Sequence, residues 1–75
     1  MKLKVYTTTN CLNCKAVKSY LAAMDVKYEE VRVDSPEMVK QMQEKTGFKK
    51  TPVVENGKGS VMGFRPDKIE QLVLE

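Results

Sequence analysis

Two runs of two-residue alternation, residues 2–7 and 27–33, bracket a stretch in which Cys14, Val17, Leu21 and Met24 recur at spacings of three, four and three. A period of two is the signature of a strand, and the 3-4-3 spacing lays one apolar stripe along a helix. Between the first strand and the helix stands Thr8-Thr9-Asn10, a polar break that can cap a helix, and Asp25 closes the helix. A strand, a helix and a second strand so joined form a βαβ unit, whose two strands lie parallel with a right-handed crossover. The remaining residues must be built around that unit.

Ser35-Pro36-Glu37 is a strong helix start: a hydroxyl cap, a proline at the first helical position and an acid favoured by the helix dipole. Met38, Val39 and Met42 give this helix its apolar face, and Gly47 ends it. Residues 51–55 form a short strand opened by Pro52, and Asn56-Gly57 predicts a hairpin turn that Lys58-Gly59 can lengthen. Ser60 to Met62 is the partner strand. Arg65-Pro66-Asp67 starts a last helix, with Ile69, Leu72 and Val73 facing inward. The predicted order is β-α-β-α-β-β-α, a single α/β domain over residues 1–75 with a four-stranded mixed sheet flanked by three helices. At 75 residues the core is small, since such chains bury only about 60% of their unfolded surface.

The net charge of +3 is spread along the chain, so no basic stripe points to nucleic acid. No segment reaches the roughly 20 apolar residues of a membrane span, and Met1-Lys2-Leu3-Lys4 turns polar too soon for a signal peptide. A monomer in the cytoplasm, without nucleic-acid or membrane partners, is the expectation. In that reducing compartment, two cysteines three residues apart are poor candidates for a structural staple. They are catalytic, metal-binding or inert.

Position separates these readings better than spacing does. Cys11 falls where the first strand hands over to the first helix, beside backbone N–H groups that have no intrahelical partner. The positive end of the helix dipole favours a thiolate there, and such sites lower a cysteine pKa from about 8.5 into the range of roughly 3.5–7.5. Cys14 lies one turn deeper, on the stripe of Val17 and Leu21, shielded yet within reach of the Cys11 sulfur. That arrangement predicts a two-step exchange: Cys11 attacks a target disulfide, and Cys14 then attacks Cys11 and releases the reduced target. The redox-active disulfide Cys11–Cys14 carries the electrons, so no added cofactor is expected. A structural zinc site needs four ligands, and two cysteines with no histidine supply them only in a dimer. No metal site is therefore expected. Two inert core cysteines are the other alternative, opposed by the polar loop before Cys11 and by Asn13 between the pair.

The strand–CxxC–helix opening, the later Thr51-Pro52 before a hairpin and the closing helix together resemble the thioredoxin fold in its short glutaredoxin form. Taken alone, Thr51-Pro52 reads as an ordinary trans X–Pro bond. The resemblance implies instead a cis bond facing the cysteines. It further implies that Thr51 offers backbone hydrogen bonds to an extended substrate segment and that Pro52 keeps metal ions from the sulfurs. The run Gly63-Phe64-Arg65-Pro66-Asp67-Lys68-Ile69 is similar to the G-F-R-P-D-x-I segment of the NrdH-redoxins. Tyr6-Thr7, Cys11-x-x-Cys14-Lys15-Ala16 and Thr51-Pro52-Val53-Val54 fit the same family. This likeness implies reduction by thioredoxin reductase and electron delivery to a class Ib ribonucleotide reductase. It also implies a partner surface that includes Tyr6, Leu12, Asn13, Thr51, Pro52, Phe64 and Arg65.

The chain departs from the family at three places. Leu12-Asn13 stands for Val-Gln between the cysteines, Thr8 for a basic residue, and Val61-Met62 for a tryptophan-serine pair. Glutaredoxins that use glutathione tend to carry the basic residue at the Thr8 position and small residues where Phe64 stands. Losing that charge-assisted contact costs about 1.5–3 kcal/mol, so a tight glutathione pocket is disfavoured. A glutathione-dependent glutaredoxin remains the alternative within redox chemistry. A module pinning an iron–sulfur cluster between two copies is the alternative outside it, weakened by Cys14. Lys15, Lys49, Lys50 and Arg65 are candidates for a basic rim that helps hold a thiolate and attracts an acidic partner segment.

Overall fold

The computed structural model describes residues 3–74, in the order β1 (Lys4–Thr7), α1 (Leu12–Ala23), β2 (Glu29–Arg32), α2 (Pro36–Thr46), β3 (Val53–Glu55), β4 (Ser60–Met62) and α3 (Pro66–Leu74). The expected start of the first strand at residue 2 lies outside the described residues. The four strands form one sheet in the order β2-β1-β3-β4. β1 pairs in parallel with β2, with Val5 opposite Glu30, and antiparallel with β3, with Val5 opposite Val54. β3 and β4 form the antiparallel hairpin, with Val54 opposite Val61. The sheet is thus mixed, and β1 lies inside it.

Two apolar clusters cover the two faces. On one, Val17 and Leu21 of α1 and Ile69 and Leu72 of α3 pack on Leu3, Val5 and Val54. On the other, Met42 of α2 meets Tyr6, Val33 and Val53. A strand covered on both faces buries consecutive residues, and Val5, Tyr6 and Thr7 are all buried. With strict two-residue alternation Tyr6 falls opposite Leu3 and Val5, and the family likeness implies a partner-binding role for it. Its side chain is only 4% exposed, so it belongs to the second cluster and not to a partner surface. Burial, with the Glu55 carboxylate as the next cause, pushes the Tyr6 hydroxyl above its ordinary pKa. Thr7 satisfies its buried hydroxyl by donating to Glu30 at 2.8 Å, and Lys18 of α1 reaches the same carboxylate at 3.2 Å.

The hairpin loop runs from Asn56 to Gly59, lengthened by Lys58-Gly59, and β4 takes up at Ser60 as expected. Asn56 N–H donates to Gly59 O at 3.1 Å, which leaves Gly57 and Lys58 at the tip, Gly57 with a φ of 92°. Asn56 itself is buried, and its side chain closes the turn by accepting from the N–H groups of Lys58 and Gly59, each at 2.8 Å. Its amide nitrogen donates to Leu72 O of α3 at 3.0 Å, so the tip is fastened to the last helix.

Candidate active site

β1 ends at Thr7, and the chain turns through Thr8, Thr9 and Asn10 into α1. Asn10 takes a left-handed conformation, φ 59°, which an asparagine tolerates better than most residues. The helix cap is Cys11 and not the polar break before it: its backbone is extended, φ −110° and ψ 109°, and its Sγ accepts the Cys14 N–H at 3.1 Å. A sulfur occupies the place a hydroxyl or carboxylate usually takes. Cys11 and Cys14 are joined as a disulfide, their Cα atoms 5.2 Å apart.

The two sulfurs differ in access. Cys14 is 2% exposed, on the buried stripe with Val17 and Leu21, whereas Cys11 is half-buried at the helix start. Leu12, 81% exposed, and Asn13 project from the first turn. α1 has no acidic residue in its first turn, so no fixed negative charge competes there with a thiolate.

Thr51 and Pro52 arrive from the loop before β3, and their peptide bond is cis. The Pro52 side chain is buried, and its carbonyl accepts the Gly63 N–H at 2.8 Å, which ties the end of β4 to the start of β3. Thr51 Oγ1 lies 4.0 Å from Cys11 Sγ as a donor. Among the described residues, Thr51 makes no backbone hydrogen bond. The structure therefore brings Cys11, Cys14 and Thr51 together, with Leu12 and Asn13 beside them.

Phe64 and Arg65 lie between β4 and α3. Phe64, 39% exposed, meets Tyr20 of α1 edge to face with ring centroids 6.0 Å apart. Arg65 is exposed where α3 begins, its carbonyl accepting the Ile69 N–H at 2.9 Å, and it lines a cleft of about 250 Å³ with Phe48, Met62 and Lys68. Lys15, Lys49 and Lys50 are exposed too, and none of these four cations forms an ion pair among the described residues.

Sequence reasoning missed three residues. Thr8, read from sequence as part of a polar break and a departure from a family pattern, shares a hydrogen bond with Thr51, Oγ1 to Oγ1 at 2.9 Å. Thr9 donates its backbone N–H and its hydroxyl to Asp34 Oδ1 at 3.0 and 3.2 Å, and Arg32 donates to the same hydroxyl at 2.9 Å. Foremost the Thr9 N–H holds the Asp34 carboxyl below its usual range. No short-range signal links Thr8 to a residue 43 positions away, nor Thr9 to one 25 away.

No described helix is long and apolar enough to cross a membrane. A family model described as Glutaredoxin matches residues 3–60. The glutaredoxin-like protein NrdH of Lactococcus lactis subsp. lactis is 35% identical over 69 residues, which cover 91% of this chain and 94% of that protein. NrdH of Salmonella typhimurium is 36% identical over 72 residues, covering 96% and 89%. Among solved structures, the glutaredoxin-like protein NrdH-redoxin from Escherichia coli superimposes with a TM-score of 0.84 at 36% identity, covering 96% of this chain and 95% of that one. With its mixed sheet of thioredoxin type and its cysteine pair at the head of α1, the chain belongs to the glutaredoxin family as an NrdH-redoxin, a thiol–disulfide oxidoreductase.

Proposed function

We propose that Cys11 is the attacking cysteine and Cys14 the resolving one, in a dithiol carrier that draws electrons from thioredoxin reductase and passes them to a class Ib ribonucleotide reductase. The observation that carries the assignment is the difference in access: Cys11 is half-buried at the helix cap, and Cys14 is 2% exposed beneath it. In the reduced protein the Cys11 thiolate attacks one sulfur of the target disulfide, and the other sulfur leaves as a thiolate. A mixed disulfide joins Cys11 to the target. Cys14 then gives up its proton and attacks Cys11 Sγ, and the second target sulfur departs with its electron pair. The target has gained two electrons and the Cys11–Cys14 bond has formed. A reductase dithiol reverses the sequence.

Thr51, with its backbone groups unpaired among the described residues, serves as the edge on which an extended target segment lies, and Leu12 and Asn13 flank it. Phe64 and Arg65 extend the partner surface, and Lys15, Lys49 and Lys50 draw acidic partners toward it. The thioredoxin-like activity profile of the Escherichia coli relative, a glutaredoxin-like protein, supports thioredoxin reductase over glutathione as the electron source. So does Thr8, which presents no charge to a glutathione carboxylate and already bonds Thr51.

Two assays test the reading. Oxidised protein is given NADPH with thioredoxin reductase, or NADPH with glutathione and glutathione reductase; fast NADPH loss is expected in the first, and turnover confined to the second overturns the electron source. A Cys14→Ser variant is expected to accumulate a mixed disulfide through Cys11. Accumulation through Cys14 in a Cys11→Ser variant instead reverses the roles.

A further inference from the structure

We infer that Thr8 is a positioning residue for the Cys11 thiolate, acting through the Thr51 hydroxyl without touching the sulfur. The inference rests on the reading of Cys11 as the attacking group. Its starting point is the number of protons available. Thr8 Oγ1 and Thr51 Oγ1 are 2.9 Å apart, and the geometry lets either one donate. A hydroxyl carries a single proton. Thr51 Oγ1 is also the one side-chain hydroxyl within reach of Cys11 Sγ among the described residues, at 4.0 Å. If Thr51 donates to Thr8, its proton is spent and the sulfur receives none. If Thr8 donates to Thr51, the Thr51 proton is free to point at the sulfur.

The sulfur's charge selects between the two. In the disulfide, sulfur is a weak acceptor and the direction of the Thr8–Thr51 bond matters little. A thiolate accepts strongly, so reduction favours the direction Thr8 to Thr51 to Cys11, in which each donation polarises the next. The Cys14 N–H supplies a second donor to the same sulfur at 3.1 Å. Both threonines are half-buried, which limits competition from water for these protons. The charged groups neighbouring the three partners in sequence or by hydrogen bond are Lys15 on α1, Lys49 and Lys50 before Thr51, and the Asp34–Arg32 pair bound to Thr9. None is altered by a change at Thr8.

The test is the pH midpoint of thiolate formation in the reduced full chain. It is followed by ultraviolet absorbance and by the rate of iodoacetamide labelling, with the labelled cysteine identified by mass spectrometry. Thr8→Val keeps the shape and removes the proton. Its midpoint is expected to rise by about half a pH unit, since a neighbouring donor strengthens a bond by roughly 10–30%. Thiolate at a fixed pH below the midpoint then falls about threefold. Thr8→Ser is expected to restore the midpoint, and Thr8→Val is expected to add nothing in a Thr51→Val background. A Thr8→Val midpoint that stays put while thermal stability drops overturns the proposal, because Thr8 would then be a tether between loops. A shift that persists in the Thr51→Val background overturns it as well. Label on Cys14 overturns the role assignment beneath it, and is told apart by the site of modification.

Discussion

The starts of α1 and α2 use one backbone geometry for opposite ends. Ser35 caps α2 from an extended conformation, φ −124° and ψ 154°, its hydroxyl accepting the Met38 N–H at 3.3 Å. Cys11 does the same for α1 with sulfur, at 3.1 Å. Around Ser35 every local device agrees: Pro36 at the first position, Glu37 in the first turn, Lys45 in the last, and Gly47 at φ 83° closing the helix. Around Cys11 the charged devices are missing. α1 carries no acid in its first turn and no base in its last, and the left-handed residue that closes it is Asp25, φ 57°, rather than a glycine. Local interactions set where α2 stands, while the fully buried Val17 and Leu21 hold α1. The lesson is that α1 keeps the positive end of its dipole unspent for a sulfur whose charge changes, whereas α2 spends it on a permanent partner.

Several substitutions put this contrast at risk. The largest effect is expected from Cys11→Ser, which leaves an oxygen able to cap but unable to exchange. Disulfide reduction should fall to the uncatalysed background, while the unfolding free energy of the variant and of reduced wild type should agree within about 1 kcal/mol by denaturant titration. Ser35→Ala should reverse that pattern. It should cost about 1 kcal/mol, and therefore about 4–8 °C in melting temperature, with turnover unchanged. Asn13→Asp puts an acid into the bare first turn of α1. It should slow attack by Cys11 about threefold through repulsion of the thiolate, with the loss shrinking as salt is added. If attack is not slowed, the missing acid in α1 has no functional meaning.

The smallest effect concerns the tie between the two helix starts, since Asp34 precedes the Ser35 cap and binds Thr9, two residues before Cys11. Its folded-state pKa is lowered, so its contribution to stability is present above the unfolded value and is lost as pH falls through the folded one. The stability gap between wild type and Asp34→Asn should therefore be open at neutral pH and close as pH falls below about 4. A gap that persists in strong acid would mean that Asp34 acts through packing.

What the sequence disclosed follows the same division. Both ends of α2 were legible to the residue, because Ser35 and Pro36 at its start and Gly47 at its close act on near neighbours. The cysteine pair was legible for the same reason, the junction of strand and helix being a local event. Tyr6 was misjudged because alternation reports one buried face, and β1 is buried on two. The Asn56 turn and its lengthening by Lys58-Gly59 were legible, whereas the bond from its side chain to the Leu72 carbonyl, a tertiary contact, was not. Thr8, Thr9 and Asp34 were invisible as a group, since only the completed sheet brings the ends of β1, β2 and the Thr51 loop together.

The buried Asn56 side chain also bears on how the molecule opens. One amide holds the hairpin tip on its oxygen and the last helix on its nitrogen. The backbone protons of Lys58 and Gly59, though placed on a surface turn, are thereby coupled to α3 through one side chain. Hydrogen exchange should accordingly find protection at the tip that is lost together with the protection of the carboxyl-terminal helix.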